Sequence, residues 1–187
     1  MAADLNRRGV IALLAGLMLA ACATAPAPVP EVYPSAEDAV ITLFLVRHGE
    51  KEEGEDPDLS PAGKARAQAL AKRLDGAELT EIWSTRTKRT QQTAAAIVKQ
   101  TGLPVQPYDA TTLPAFASWL LDTPGVKLVV GHSNTTDALA ALLGADPGPP
   151  IDEKTEFDRL YVIYIDKDGL ISSSIERYGA PSVAAVP

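Results

Sequence analysis

The chain contains two histidines, and both stand in the same kind of place, just past a short apolar run and beside a glycine. The first lies in LFLVRHGEK, residues 43–51, where His48 follows Arg47 and precedes Gly49. The second lies in KLVVGHSN, residues 127–134, where His132 follows Gly131. A third polar cluster, STRTKR at 84–89, follows the run EIW. Two imidazoles gathered with several guanidinium and ammonium groups make an anion site, and the anion best matched to a planar arginine fork is phosphate. Neighbouring cations disfavour protonation of an imidazole, so His48 is expected to keep a free lone pair at neutral pH. That is the state a nucleophile needs. The same cations would stabilise a phosphoryl group in transfer, whose charge spreads over its equatorial oxygens. These residue types in this pattern suggest covalent phosphoryl transfer through a phosphohistidine.

Such side chains have to be delivered by a frame. Val40 to Val46 is a continuous apolar run with β-branched residues, which suits a strand covered on both faces. Ser60-Pro61 starts a helix, with serine as N-cap and proline in the first turn, and Ala62, Ala65, Ala69, Leu70 and Leu74 recur at helical spacing before Gly76. A short strand over 78–83, a helix over 88–100, a helix over 113–121, a strand over 127–130 and a helix over 135–143 follow. Two strands, 159–165 and 170–178, flank Asp168-Gly169, a hairpin signal. Strand–helix alternation predicts a three-layer α/β fold: a mostly parallel open sheet, helices on both faces and an antiparallel C-terminal edge. In such sheets ligands bind beyond the carboxyl ends of the strands, where both histidines fall.

Arg47-His48-Gly49-Glu50 resembles the R-H-G-E signature of the histidine phosphatase superfamily, also called phosphoglycerate mutase-like. STRTKRTQQTA at 84–94 is similar to that family's second element, S-x-x-x-x-R-A-x-Q-T-A. Val129-Val130-Gly131-His132 resembles its strand-to-second-histidine element. The three motifs occur in the family's order, and the resemblance covers about residues 40–178. It implies that His48 is the phosphorylated nucleophile and that Arg47, Arg89 and His132 form the cradle for the phosphoryl oxygens. Glu50, Lys51 and Ser133 are expected as substrate-binding neighbours, and no metal or cofactor is expected. Thr90 stands where the family pattern has alanine, and Arg86 is extra.

The resemblance leaves the general acid open. Ser133 occupies the position that acid-phosphatase branches give to aspartate. Mutase-like branches use an acid in the segment holding Asp109, which makes Asp109 the candidate, with Glu50 and Asp137 as alternatives. Residues 50–58, EKEEGEDPD, carry six acidic side chains in nine and read as a solvated loop; their spacing does not match an EF-hand. The leading reading is hydrolysis of phosphomonoesters, whether small molecules, envelope components or phosphoproteins. Alternatives are a phosphate- or phosphoglycan-binding protein without activity, a phosphomutase, and a metal hydrolase using His48 and His132.

Composition narrows the setting. With 187 residues, a formal charge of −7 and 5% aromatics, the chain reads as one domain with a real core and no nucleic-acid partner. Arg7-Arg8 and the apolar run Val10–Ala20 form a secretory signal, too short to span a bilayer. It ends in Leu19-Ala20-Ala21-Cys22, which resembles a bacterial lipobox, and Cys22 is the chain's one cysteine. Expected organisation is therefore a lipoprotein signal peptide at 1–21, a Pro/Ala-rich linker at 22–37 with lipidated Cys22, a domain at 38–180 and a tail at 181–187. The lipid would anchor the protein in the bacterial envelope. Ala23 and Thr24 after the cysteine imply the outer membrane, facing the periplasm.

Overall fold

A computed structural model describes residues 33–182. The expected signal peptide, Cys22, most of the linker and residues 183–187 lie outside the described residues. Six strands, β1 (Ala39–Arg47), β2 (Glu81–Ser84), β3 (Val105–Pro107), β4 (Gly125–Gly131), β5 (Arg159–Asp166) and β6 (Ile171–Arg177), form one sheet. Its order is β3-β2-β4-β1-β5-β6. The helices are α1 (Pro61–Arg73), α2 (Lys88–Thr101), α3 (Leu113–Asp122) and α4 (Ser133–Leu142). Strands β3, β2, β4 and β1 pair in parallel, and β5 and β6 add on antiparallel. This is the mixed α/β architecture expected.

The apolar run of β1 has no alternation because both of its faces are covered. Ile41, Leu43 and Leu45 join a core with Phe116 and Leu120 of α3 and Leu139 and Ala140 of α4. Phe44 and Val46 join a second core with Leu70 and Ala71 of α1 and Ala94 and Ile97 of α2. Each of the larger aliphatic and aromatic side chains among them stabilises the fold by about 1.5–3 kcal/mol on burial. Two cores on opposite faces fix β1 in the middle of the sheet and hence fix where its carboxyl end emerges.

Three details differ from the sequence reading. β3 was not anticipated: three residues ending in Pro107 give no pattern, and proline fits there because β3 is an edge strand. The buried face of α1 is Gly63, Arg66, Ala67, Leu70, Ala71 and Leu74, whereas Ala62 and Ala65 are exposed. Gly63 must face inward because the loop after β1 crosses directly over it. The fold also uses Ser182, beyond the boundary at 180, since its hydroxyl accepts from the backbone N–H groups of Phe157 and Asp158. The stretch between Arg89 and His132 consists of frame elements: α2, β3, a single 3-10 turn at Ala110–Thr112, α3 and β4.

Candidate active site

Strand register brings the histidines together. In the parallel β1–β4 ladder Arg47 lies opposite Gly131, so the residues that follow, His48 and His132, leave the sheet side by side. The His48 N–H donates to the Gly131 carbonyl at 3.0 Å, and the two rings meet edge to face with centroids 5.5 Å apart. β2 flanks β4 on its other side with Ser84 opposite Val130, which places Thr85 beside His132 at 3.0 Å from Nε2.

Each ring has a defined tautomer. His48 Nδ1 lies 2.8 Å from the Gly49 carbonyl, which can only accept, so Nδ1 carries the proton and Nε2 the lone pair. Gly49 is itself held, its N–H donating to Thr93 Oγ1, whose hydroxyl donates to the Arg89 carbonyl. His132 Nδ1 faces Arg89 at 3.4 Å and can only accept there, so its Nε2–H donates to Thr85. Burial lowers His48 to about 3; Arg47, His132 and Arg89 add to this against the opposing Gly49 hydrogen bond. Burial and the same two arginines lower His132 to about 4. Both rings are neutral at physiological pH, and His48 offers an unprotonated nitrogen.

A cavity of about 440 Å³ opens over these groups, lined by His48, Lys51, Arg89, His132, Ser133, Asn134 and Glu153. A second, of about 620 Å³, adjoins it at His132 and is lined by Thr85, Arg86, Tyr108 and Asp109 among others. Two buried N–H donors, Arg47 Nε and Arg89 Nε, have no protein partner among the described residues. A buried donor left unpaired is costly, and an anion is the kind of ligand that satisfies such a donor.

The profile of the histidine phosphatase superfamily (branch 1) matches residues 43–111. Solved phosphatase structures share the fold. The putative phosphohistidine phosphatase SixA from Agrobacterium tumefaciens is 22% identical with a TM-score of 0.55, covering 75% of this chain and 98% of its own. The protein histidine phosphatase SixA complexed with tungstate is 18% identical with a TM-score of 0.58, covering 73% and 97%. Phosphoserine phosphatase from Entamoeba histolytica, in complex with 3-phosphoglyceric acid, is 16% identical with a TM-score of 0.53, covering 75% and 98%. The profile match covers the first two motifs, and the solved structures share the fold.

Within this fold the expected site residues divide into three groups. His48, Arg89, His132, Lys51 and Ser133 line the smaller cavity together. Arg47 is adjacent but engaged elsewhere. Its NH1 donates to the carbonyls of Asp152 and Glu156, both at 2.9 Å, its NH2 donates to that of Glu153, and its guanidinium stacks 4.1 Å over Phe157. Burial lowers it to about 10, still charged at neutral pH. Only its Nε is left for an anion.

Glu50 and Asp109 are held apart from the reacting centre. Glu50 forms a fork with Arg66, accepting from NH2 at 2.7 Å and from Nε, while Arg66 NH1 donates to the carbonyls of Tyr178 and Ala180. Burial pushes the Glu50 carboxyl up, but the Arg66 hydrogen bonds, a backbone hydrogen bond and the charges of Arg66 and Arg47 together hold it below the usual range. Glu50 thus ties the loop to α1 and the C-terminal segment, and it is not among the cavity walls. Asp109 lines the larger cavity, not the one containing His48. Its Oδ1 accepts from the Thr111 hydroxyl and N–H, which hold the carboxyl below its ordinary value. Asp137 spends one oxygen on the N–H of Ala138. Among the described residues no group of three or more histidine, cysteine, aspartate or glutamate side chains is placed to hold a metal ion.

Sequence reasoning missed the supports. Thr90, where the family pattern has alanine, is fully buried, and its hydroxyl lies against the carbonyls of Thr85 and Thr87 at 3.0 and 2.9 Å. It fixes the loop that presents Thr85 to His132. The acidic loop is exposed yet tethered: Asp56, at φ 43°, accepts from the Lys88 N–H at the start of α2 and lies 3.7 Å from Arg89. Gln92 accepts from the Leu59 N–H and donates to Asp58. Glu153 is the remaining omission, a carboxylate on the wall of the His48 cavity.

Proposed function

We propose that the protein is a phosphatase that hydrolyses phosphomonoesters through a phosphohistidine on His48, as an envelope lipoprotein anchored through Cys22. The observation that carries this reading is the tautomer of His48: the Gly49 carbonyl takes the Nδ1 proton, and Nε2 is left nucleophilic on a cavity wall it shares with Arg89 and His132. Nε2 attacks phosphorus as the bond to the leaving oxygen breaks, and the Arg89 and Lys51 cations meet the charge on the equatorial oxygens, with His132 holding Arg89 beside them. Water then attacks the phosphohistidine and the N–P electron pair returns to Nε2. Its substrates on this reading are phosphomonoesters, whether small molecules, envelope components or phosphoproteins.

Brief incubation with a ³²P-labelled aryl phosphate, quenched in alkali where phosphohistidine persists, is the direct test. The wild-type protein should carry label that is lost on acid treatment, and His48→Ala should carry none. Folded wild-type protein that neither labels nor releases phosphate would point to a phosphate-binding role.

A further inference from the structure

The site as described lacks a proton donor for the leaving oxygen, and the loop 152–156 between α4 and β5 supplies a carboxylate whose neighbours are all otherwise engaged. Three acids stand in that loop. Asp152 Oδ1 accepts from the N–H groups of Lys154 and Thr155 and from the Thr155 hydroxyl. Glu156 accepts from the Asp152 N–H, from Arg159 and from Arg177. Glu153 alone makes no side-chain hydrogen bond or ion pair among the described residues, and it alone of the three lines the cavity with His48, Arg89 and His132. Its backbone is not loose: the Glu153 carbonyl accepts from Arg47 NH2, while Arg47 NH1 holds the carbonyls on either side, at 152 and 156. Of the nearby carboxylates Glu153 also does most to keep Arg47 charged, which places it close to the residue beside the nucleophile. A pinned loop carrying one unengaged acid to a reaction cavity is the arrangement a general acid–base residue requires.

We infer that Glu153 protonates the leaving oxygen and then activates the hydrolytic water, with Arg47 as the residue that positions it. The inference rests on the phosphohistidine reading above. The cycle starts and ends with Glu153 carrying the proton. In the first step the His48 Nε2 lone pair forms the N–P bond, the P–O bond breaks, and the Glu153 proton passes to the departing oxygen, releasing an alcohol. In the second step the Glu153 carboxylate takes a proton from water as the water oxygen bonds to phosphorus. The N–P pair returns to Nε2, phosphate leaves, and Glu153 is again protonated.

Rapid-quench measurements on wild type, Glu153→Gln and Asp109→Asn, with 4-nitrophenyl phosphate and with glycerol phosphate, test this. An aryl leaving group departs without a proton and an alkyl one does not. Glu153→Gln should keep the phosphorylation burst with the aryl ester, which also shows that it folds. Its burst with the alkyl ester should slow by about 10²- to 10³-fold, and phosphoenzyme should accumulate because water is no longer activated. Wild-type burst rates with both esters in Glu153→Gln would overturn the inference, as would an alkyl-specific loss confined to Asp109→Asn. Absence of any acid-labile phosphoenzyme in wild type would overturn the phosphohistidine reading itself, and this inference with it.

Discussion

Burial holds His48 near 3 and His132 near 4, against an ordinary value of 6.5, and the surrounding arginines add to the effect. In the unfolded chain both rings take up protons as pH falls through about 6.5, whereas in the folded chain they resist until about 4 and 3. Across that window the unfolded state binds more protons, so folded stability must decline as pH falls. Urea midpoints measured at pH 8 and pH 5 should therefore converge in His48→Gln relative to wild type. An identical pH 8-to-5 drop in the two proteins would show that His48 is not held neutral by the fold. The chemistry of this residue was legible in the sequence because it is local: arginine, histidine and glycine are consecutive. The partners that set its working form were not. Thr85 and Glu153 reach the site through strand register and loop contacts at no spacing that composition or periodicity marks, and Thr93 stands in the quoted Q-T-A element with nothing there to show that it holds Gly49.

The joint between the loop after β1 and the first turn of α1 is the tightest contact near the site. A Cβ on Gly63 would fall 2.0 Å from the Glu50 carbonyl oxygen, a backbone atom that also accepts from the Ser60 N–H. A Cβ on Gly49 would meet Gly63 backbone at 3.0 Å, a strain that small shifts relieve. Gly63→Ala should thus cost about 3 kcal/mol of stability by urea unfolding and displace the segment bearing Gly49 and Glu50. Gly49→Ala should cost distinctly less, and equal losses would mean that the loop yields more easily than its packing implies. The long periodic elements could be read from the chain in advance, since apolar runs and caps encode them within a dozen residues. The three residues of β3 carry no such signal. The inward face of α1 was misread because a glycine and an arginine, not alanines, occupy its critical turns: Gly63 for closeness, Arg66 to hold Glu50 and the carbonyls of Tyr178 and Ala180.

Taken whole, the protein is an acidic molecule, at −7, with a cation-lined cavity at the carboxyl ends of its central strands. On the proposed reading, attachment to the membrane rests on Cys22. Cys22→Ser should move the full chain from the detergent-extracted membrane fraction to the soluble one on fractionation, with phosphatase activity per molecule unchanged. Retention of the variant on membranes would exclude the lipid as the anchor. The grip of Arg47 on the carbonyls of residues 152–156 spans more than a hundred positions of chain, and that separation also orders events in time. A polypeptide emerging from its N-terminus holds the nucleophile, both arginines and the second histidine by residue 132, yet Arg47 finds its acceptors only once the final third has followed. On the proposed reading, a fragment ending before residue 152 would carry the signature motifs and lack the carbonyls that hold Arg47 in place.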